Sequence, residues 1–145
     1  MSAAKSGKRS RIGVIDIFAG PGGLGEGFSS FETKPESRIY PFELAVSAEM
    51  ERSAHETLQL RAFYRLLQRN EGQIPDDYWQ YLRDAAAGPV EKPRNSFSSG
   101  KWRPLWEEAE AEALNLTLGN PTHNQELYRR IEKVKNRYDE LVLIG

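Results

Sequence analysis

The sequence predicts an α/β fold: a mostly parallel sheet, doubly wound by helices. Three observations carry this. The β-branched, apolar run Ile12-Gly13-Val14-Ile15-Asp16-Ile17-Phe18 stops abruptly in Ala19-Gly20-Pro21-Gly22-Gly23, as a buried parallel strand feeding a tight turn does. A second apolar run, Phe42 to Glu49, ends in an acid. Between and after these runs the apolar residues recur with helical period, so strands and helices alternate along the chain.

The elements follow in order. Residues 1–10 are polar and basic, and are expected to form a disordered tail. After the first strand and its turn, Leu24 to Phe31 reads as a short helix, and residues 32–41, with Pro35 and Pro41, as a loop. The second strand leads to a helix for which Ser53 is the expected cap and Glu56 completes a capping box. Its apolar residues Leu58, Ala62 and Leu66 share one face, with Leu60, Phe63 and Leu67 beside them, and the helix is expected to run to about Gln68. A helical insertion is expected over about residues 70–120. Within it Asp76 to Ala87 reads as a helix stopped by Gly88-Pro89, residues 89–103 as a loop, and Pro104 to about Leu116 as a helix opened by its proline. Thr122-His123-Asn124-Gln125 resembles another capping box, opening a helix to about Glu140 with Leu127, Ile131, Val134 and Tyr138 on one stripe. The last run, Leu141-Val142-Leu143-Ile144-Gly145, reads as a buried strand.

Composition narrows the function. With 145 residues, one modest core is expected. A formal net charge of -1 provides no global cationic field for nucleic acid, so a DNA grip would have to come largely from elsewhere. There is no cysteine, which excludes disulfides, thiolate metal sites and a thiolate nucleophile within these residues. Two isolated histidines make a zinc site an unfavourable reading, and no metal is expected. No apolar stretch reaches the roughly 18 residues that span a bilayer, and the polar start lacks the apolar core of a signal peptide. No membrane partner and a cytoplasmic location are therefore the expectation.

The glycine turn is the candidate site. Glycines let a backbone approach a ligand closely, and the helix that follows offers free N–H groups. An acid at the end of the next strand, here Glu49, is placed to accept hydrogen bonds from both hydroxyls of a ribose. The turn is not a P-loop, since no Gly-Lys-Ser/Thr follows. Pro21 removes a backbone donor, which argues against a pyrophosphate cradle.

Asp16-Ile17-Phe18-Ala19-Gly20-Pro21-Gly22-Gly23-Leu24 resembles the first motif of the cytosine-5 DNA methyltransferases. Ala45 to Thr57, with Glu49, Ala54 and Thr57, resembles the family's second motif, and Leu141 to Gly145 its strand leading into a catalytic Pro-Cys loop. The matching segments cover roughly a third of the chain and keep the family's order. The resemblance implies a partial class I, Rossmann-like methyltransferase domain over residues 11–145, cut before the catalytic loop, with S-adenosyl-L-methionine (AdoMet) as cofactor. It implies that Phe18, Ala19, Gly20, Gly22 and Gly23 line the methionine end with Leu24 close by, that Glu49 holds the ribose hydroxyls, and that Met50 lies against the adenine. The family's third-strand acid has no counterpart; Asn120 is the nearest candidate to receive the adenine amino group, competing with a plain helix-ending Gly-Asn-Pro turn. The implied reaction is methyl transfer to C5 of cytosine in DNA, on a flipped-out base attacked by a cysteine thiolate. These 145 residues have no such cysteine and are expected to be inactive alone, with DNA a partner of the full-length protein. The alternative is a non-catalytic AdoMet-binding or protein-interaction module. Neither reading gives an oligomeric state.

Other candidates have structural readings that compete with functional ones. Asp16 either braces the turn or touches ligand. His55 and His123 read as half-buried and cap-associated side chains. Phe97, Trp102 and Trp106 with Lys92, Arg94, Lys101 and Arg103 form a basic-aromatic stretch, suited either to nucleic acid or to anchoring a core. Arg129, Arg130, Lys133 and Lys135 read as the solvated face of the last helix.

Overall fold

The computed structural model describes residues 11–145, so the basic tail expected over residues 1–10 lies outside the described residues. Four strands form one all-parallel sheet: β1 (Ile12–Ile17), β2 (Phe42–Glu49), β3 (Ala113–Asn115) and β4 (Glu140–Ile144), in the order β3-β2-β1-β4. The helices are α1 (Gly23–Ser29), α2 (Arg52–Glu71), α3 (Asp76–Ala87), α4 (Pro93–Phe97), α5 (Arg103–Glu112) and α6 (Pro121–Val134). This is the α/β, Rossmann-like arrangement that the alternating pattern predicts. Strand order reverses at β1, which has β2 on one side and β4 on the other. With this strand order, the right-handed rule for parallel crossovers assigns the β1-to-β2 and β2-to-β3 connections to one face and α6 to the other.

Two large clusters make up most of the core among the described residues. Ala45, Val46, Ala48 and Leu116 pack with Leu127 and Val134 of α6, the stripe anticipated for that helix. Ala62, Phe63, Leu66 and Leu67 of α2 pack with Tyr78, Phe97, Trp106 and Ala109, so α3, α4 and α5 share an aromatic core with the flank of α2. Trp106 is fully buried, and its ring meets Phe63 edge-on with centroids 5.3 Å apart.

Several boundaries differ from expectation, each for a physical reason. Glu51, not Ser53, caps α2, its carboxylate accepting from the N–H groups of Ser53 (3.0 Å) and Ala54 (2.7 Å). Asn120, not Thr122, caps α6 through Oδ1, because Pro121 suits the first helical position and has no N–H to satisfy. That helix stops at Val134, and a 3₁₀ turn over Lys135–Arg137 returns the chain to extended backbone at Tyr138. The supposed loop 89–103 contains α4 and a 3₁₀ turn over Gly100–Trp102. Residues 113–115, expected to finish a helix, are β3, paired with Ser47 to Glu49. The expected burial of the last strand is not found: Leu143 is 62% exposed, because among the described residues only β1 flanks β4.

Candidate cofactor site at the carboxyl edge of the sheet

In parallel α/β sheets ligands lie beyond the carboxyl ends of the strands, where strand order reverses. The turn after β1 occupies that place. Phe18 (φ 57°), Gly20 (φ 57°) and Gly22 (φ 92°) all adopt left-handed backbone. For Gly22 this is obligatory, since a Cβ there would also lie 2.8 Å from Leu58 Cδ1 on α2. For Phe18 it is strained, a feature that concentrates at functional sites. The conformation turns the ring outward, 68% exposed. The turn is fixed from below by Ala19, which packs with Leu58 and Ala113, and by hydrogen bonds from Ala19 N–H to Ala48 O and from Gly22 N–H to Ala19 O, both 3.0 Å.

The acid of β2 reaches this turn directly. Glu49 Oε2 accepts from Gly20 N–H at 2.8 Å and Oε1 from Glu51 N–H at 2.7 Å. The carboxylate therefore bridges the glycine turn and the start of α2. Around it Phe18, Leu24 and Met50 form an exposed apolar rim, Leu24 at 52% and Met50 at 63%. Of the sequence-predicted residues, Phe18, Ala19, Gly20 and Gly22 lie on the turn after β1, Gly23 and Leu24 open α1, and Glu49 and Met50 stand at the end of β2. Asn120 lies apart as the cap of α6, its Oδ1 accepting from Thr122 N–H (3.0 Å) and His123 N–H (3.3 Å).

A residue that sequence reasoning passed over stands at the edge instead. Asn115 ends β3, and its Nδ2 donates to Glu49 O at 2.9 Å and Met50 O at 3.1 Å. These two carbonyls fix the orientation of the amide and leave Oδ1 as its acceptor. No local signal marked Asn115, because only pairing with β2 makes it the end of a strand.

Beneath the turn, Asp16 is 1% exposed, and its carboxylate faces the backbone of Gly25 with no well-formed hydrogen bond to either oxygen among the described residues. Burial pushes its pKa above the usual carboxylate range. Its environment is close-fitting: a Cβ on Gly25 would lie 2.9 Å from Oδ2.

The remaining candidates have structural partners. His55 Nε2 lies 3.0 Å from Ala113 O, and His123 Nδ1 accepts from Thr117 N–H at 2.8 Å. Phe97 and Trp106 are core residues, while Trp102 donates to Asp77 at 2.8 Å. The cations of that stretch are paired: Lys92 with Glu56, Arg94 with Glu110, Lys101 with Asp77, and Arg103 with Glu107. The stretch anchors a core and is no free basic surface. Among the described residues no cluster of three or more His, Asp or Glu is placed to hold a metal ion, and no helix is long and apolar enough to cross a membrane. A polar groove of about 950 Å³ lies along the amino half of β2, lined by residues including Glu26, Phe42, Arg65, Arg69, Glu112 and Arg130.

A Rossmann-like sheet with a glycine turn and a strand-end acid now has a relative to be set beside. The chain is 35% identical over 112 residues to the Type II methyltransferase M.Bpa9945I of Bacillus paralicheniformis. The chain is similar to a methyltransferase. The match takes in 77% of this chain but 22% of the relative, so the chain spans about a fifth of that protein's length. No family model matches the chain, and no solved structure matches it.

Proposed function

We propose that this chain supplies the first part of an AdoMet pocket in a DNA methyltransferase of the cytosine-5 type. The observation that carries the reading is the Gly20–Glu49 contact, which brings the glycine turn and the strand-end acid together where strand order reverses. The 35% identity to a Type II methyltransferase supports methyl transfer, and the first motif, Asp16 to Leu24, supports the cytosine-5 type.

The residues fit the cofactor's chemistry. Gly20 and Gly23 face open space and leave the turn free for approach of a methionine moiety, while Gly22 lets the turn pass Leu58 of α2, with Ala19 beneath and Phe18 and Leu24 at the rim. A carboxylate has about four lone-pair sites, and Glu49 engages two N–H groups, leaving acceptor capacity for a pair of ribose hydroxyls. Met50 offers an exposed, polarisable surface to a purine. For the adenine amino group we assign Asn115, whose Oδ1 remains an acceptor at the sheet edge, ahead of Asn120, whose Oδ1 serves the α6 cap. AdoMet supplies an electrophilic methyl group. The thiolate that would make cytosine C5 nucleophilic is not among these 145 residues, so the reading places that group, and the main contacts to DNA, in other polypeptide.

Calorimetry with AdoMet tests the proposal. Wild-type protein should bind it, and Glu49→Ala should bind at least about tenfold more weakly, the loss of a charge-assisted pair of hydrogen bonds. Equal affinity in the two proteins would remove Glu49 from the site.

A further inference from the structure

A buried fork of charges joins the candidate site to the helices between β2 and β3. Arg65, on α2, donates through Nη1 to Glu26 Oε1 on α1 and through Nη2 to Glu112 Oε1 at the end of α5. The arginine and Glu112 side chains are each only 15% exposed, and that of Glu26 is 31% exposed. Both carboxylates occupy telling positions. Glu26 closes the first turn of α1, its N–H donating to Gly22 O at 3.0 Å, so its backbone is continuous with the glycine turn. Glu112 immediately precedes β3, whose last residue, Asn115, holds the carbonyls of Glu49 and Met50.

We propose that Arg65 is a positioning residue that sets the glycine turn and the end of β3 relative to each other, so that α2 and α5 control the geometry of the cofactor edge. A guanidinium is suited to this, being planar, permanently charged and forked, so that two carboxylates on different elements are held at a fixed separation. A lysine ammonium is a point charge on a flexible stem and cannot reproduce that spacing. Burial drives the Glu112 carboxyl pKa up, against the opposing pull of Arg65 and, more weakly, of Arg69. Removing the arginine would leave two carboxylates half-buried and repelling, and α1 would lose its tie to α5.

What that geometry serves rests on the AdoMet reading, but the bridge itself is testable without cofactor. Hydrogen exchange measured by mass spectrometry should show faster exchange, by at least about fivefold, over residues 20–26 and over 113–116 in both Arg65→Gln and Glu26→Gln. Glu26→Gln alters a partly exposed side chain and keeps the fold even if Arg65→Gln does not. Its signature is the response at 113–116, on an element it does not touch. In the double variant the second change should add nothing. Unchanged exchange at 113–116 in Glu26→Gln, or simple additivity, would overturn the proposal. Calorimetry then separates the two claims. If the exchange pattern appears and the wild type takes up no AdoMet, the bridge stands and the cofactor reading falls. If AdoMet binds equally to wild type, Glu26→Gln and Arg65→Lys, the bridge has no role in positioning the site and this inference falls alone.

Discussion

Two glycines in α1, two residues apart, should respond in opposite directions to the same substitution. Glycine in a helix interior is about 0.8–1.0 kcal/mol less favourable than alanine, so Gly→Ala there ordinarily stabilises. At Gly27 nothing lies within 4 Å of an added Cβ, and Gly27→Ala should gain about 0.5–1 kcal/mol. At Gly25 the same Cβ would lie 2.9 Å from Asp16 Oδ2 and 3.0 and 3.1 Å from the two δ-carbons of Leu44. Those groups are buried in the sheet and cannot swing into solvent, so overpacking should cost about 2–3 kcal/mol. The helix preference offsets about 1 kcal/mol, leaving a net loss of about 1–2 kcal/mol, and the two variants should differ by about 2–3 kcal/mol. Urea unfolding at constant m reads this difference directly, and thermal unfolding should separate the variants by roughly 8–12 °C. If Gly25→Ala is as stable as Gly27→Ala, α1 does not sit on Asp16 and Leu44 as described, and the argument for a close-fitting turn fails.

Further outcomes follow from the same geometry. Trp106→Ala empties the centre of the aromatic core shared by α2, α4 and α5 and should cost about 3–5 kcal/mol in chemical denaturation; a loss below 1 kcal/mol would mean that those helices hold together by other contacts. Asp16 has a folded-state pKa raised by burial, so its ionisation weakens the fold as pH rises from the unfolded pKa through the folded one. Asp16→Asn should therefore be more stable than wild type at neutral pH, by about 1 kcal/mol, with the gap closing in acid; a gap that widens in acid would show the carboxylate to be stabilised instead. Asn120→Ala should lower stability by about 1 kcal/mol through its cap and leave AdoMet affinity unchanged, whereas Asn115→Ala should weaken AdoMet binding. Calorimetry giving the reverse pattern would return the adenine contact to Asn120.

The legible parts of the sequence were those whose signals are local. The run Ile12 to Ile17 is rich in β-branched residues and ends in glycines, and α3 begins at Asp76 and ends at Ala87 because a proline precedes it and Gly88-Pro89 follows. The glycine turn and Glu49 were readable for the same reason: special backbone and charge each need a particular residue type. Ala113-Leu114-Asn115 was not readable. It has no β-branched residue and continues the helical period of α5; three residues become a strand only because Ser47 to Glu49 provide an edge. Without that strand, nothing local marked Asn115 as a strand-end residue. Capping choices also escaped, because Ser53 is the residue type that helix caps prefer, whereas the longer carboxylate of Glu51 reaches the N–H groups of Ser53 and Ala54.

The hold of two main-chain amides on Glu49 also bears on how tightly a ligand can be kept. A long acidic side chain normally surrenders rotamer freedom when it engages a ligand, at a cost of about 0.5–1.5 kcal/mol. Here Gly20 N–H and Glu51 N–H already select one rotamer, from opposite ends of the carboxylate. A diol arriving at this edge meets an acceptor whose ordering was completed by folding. The saving corresponds to as much as about tenfold in affinity, gained without any additional contact to the ligand.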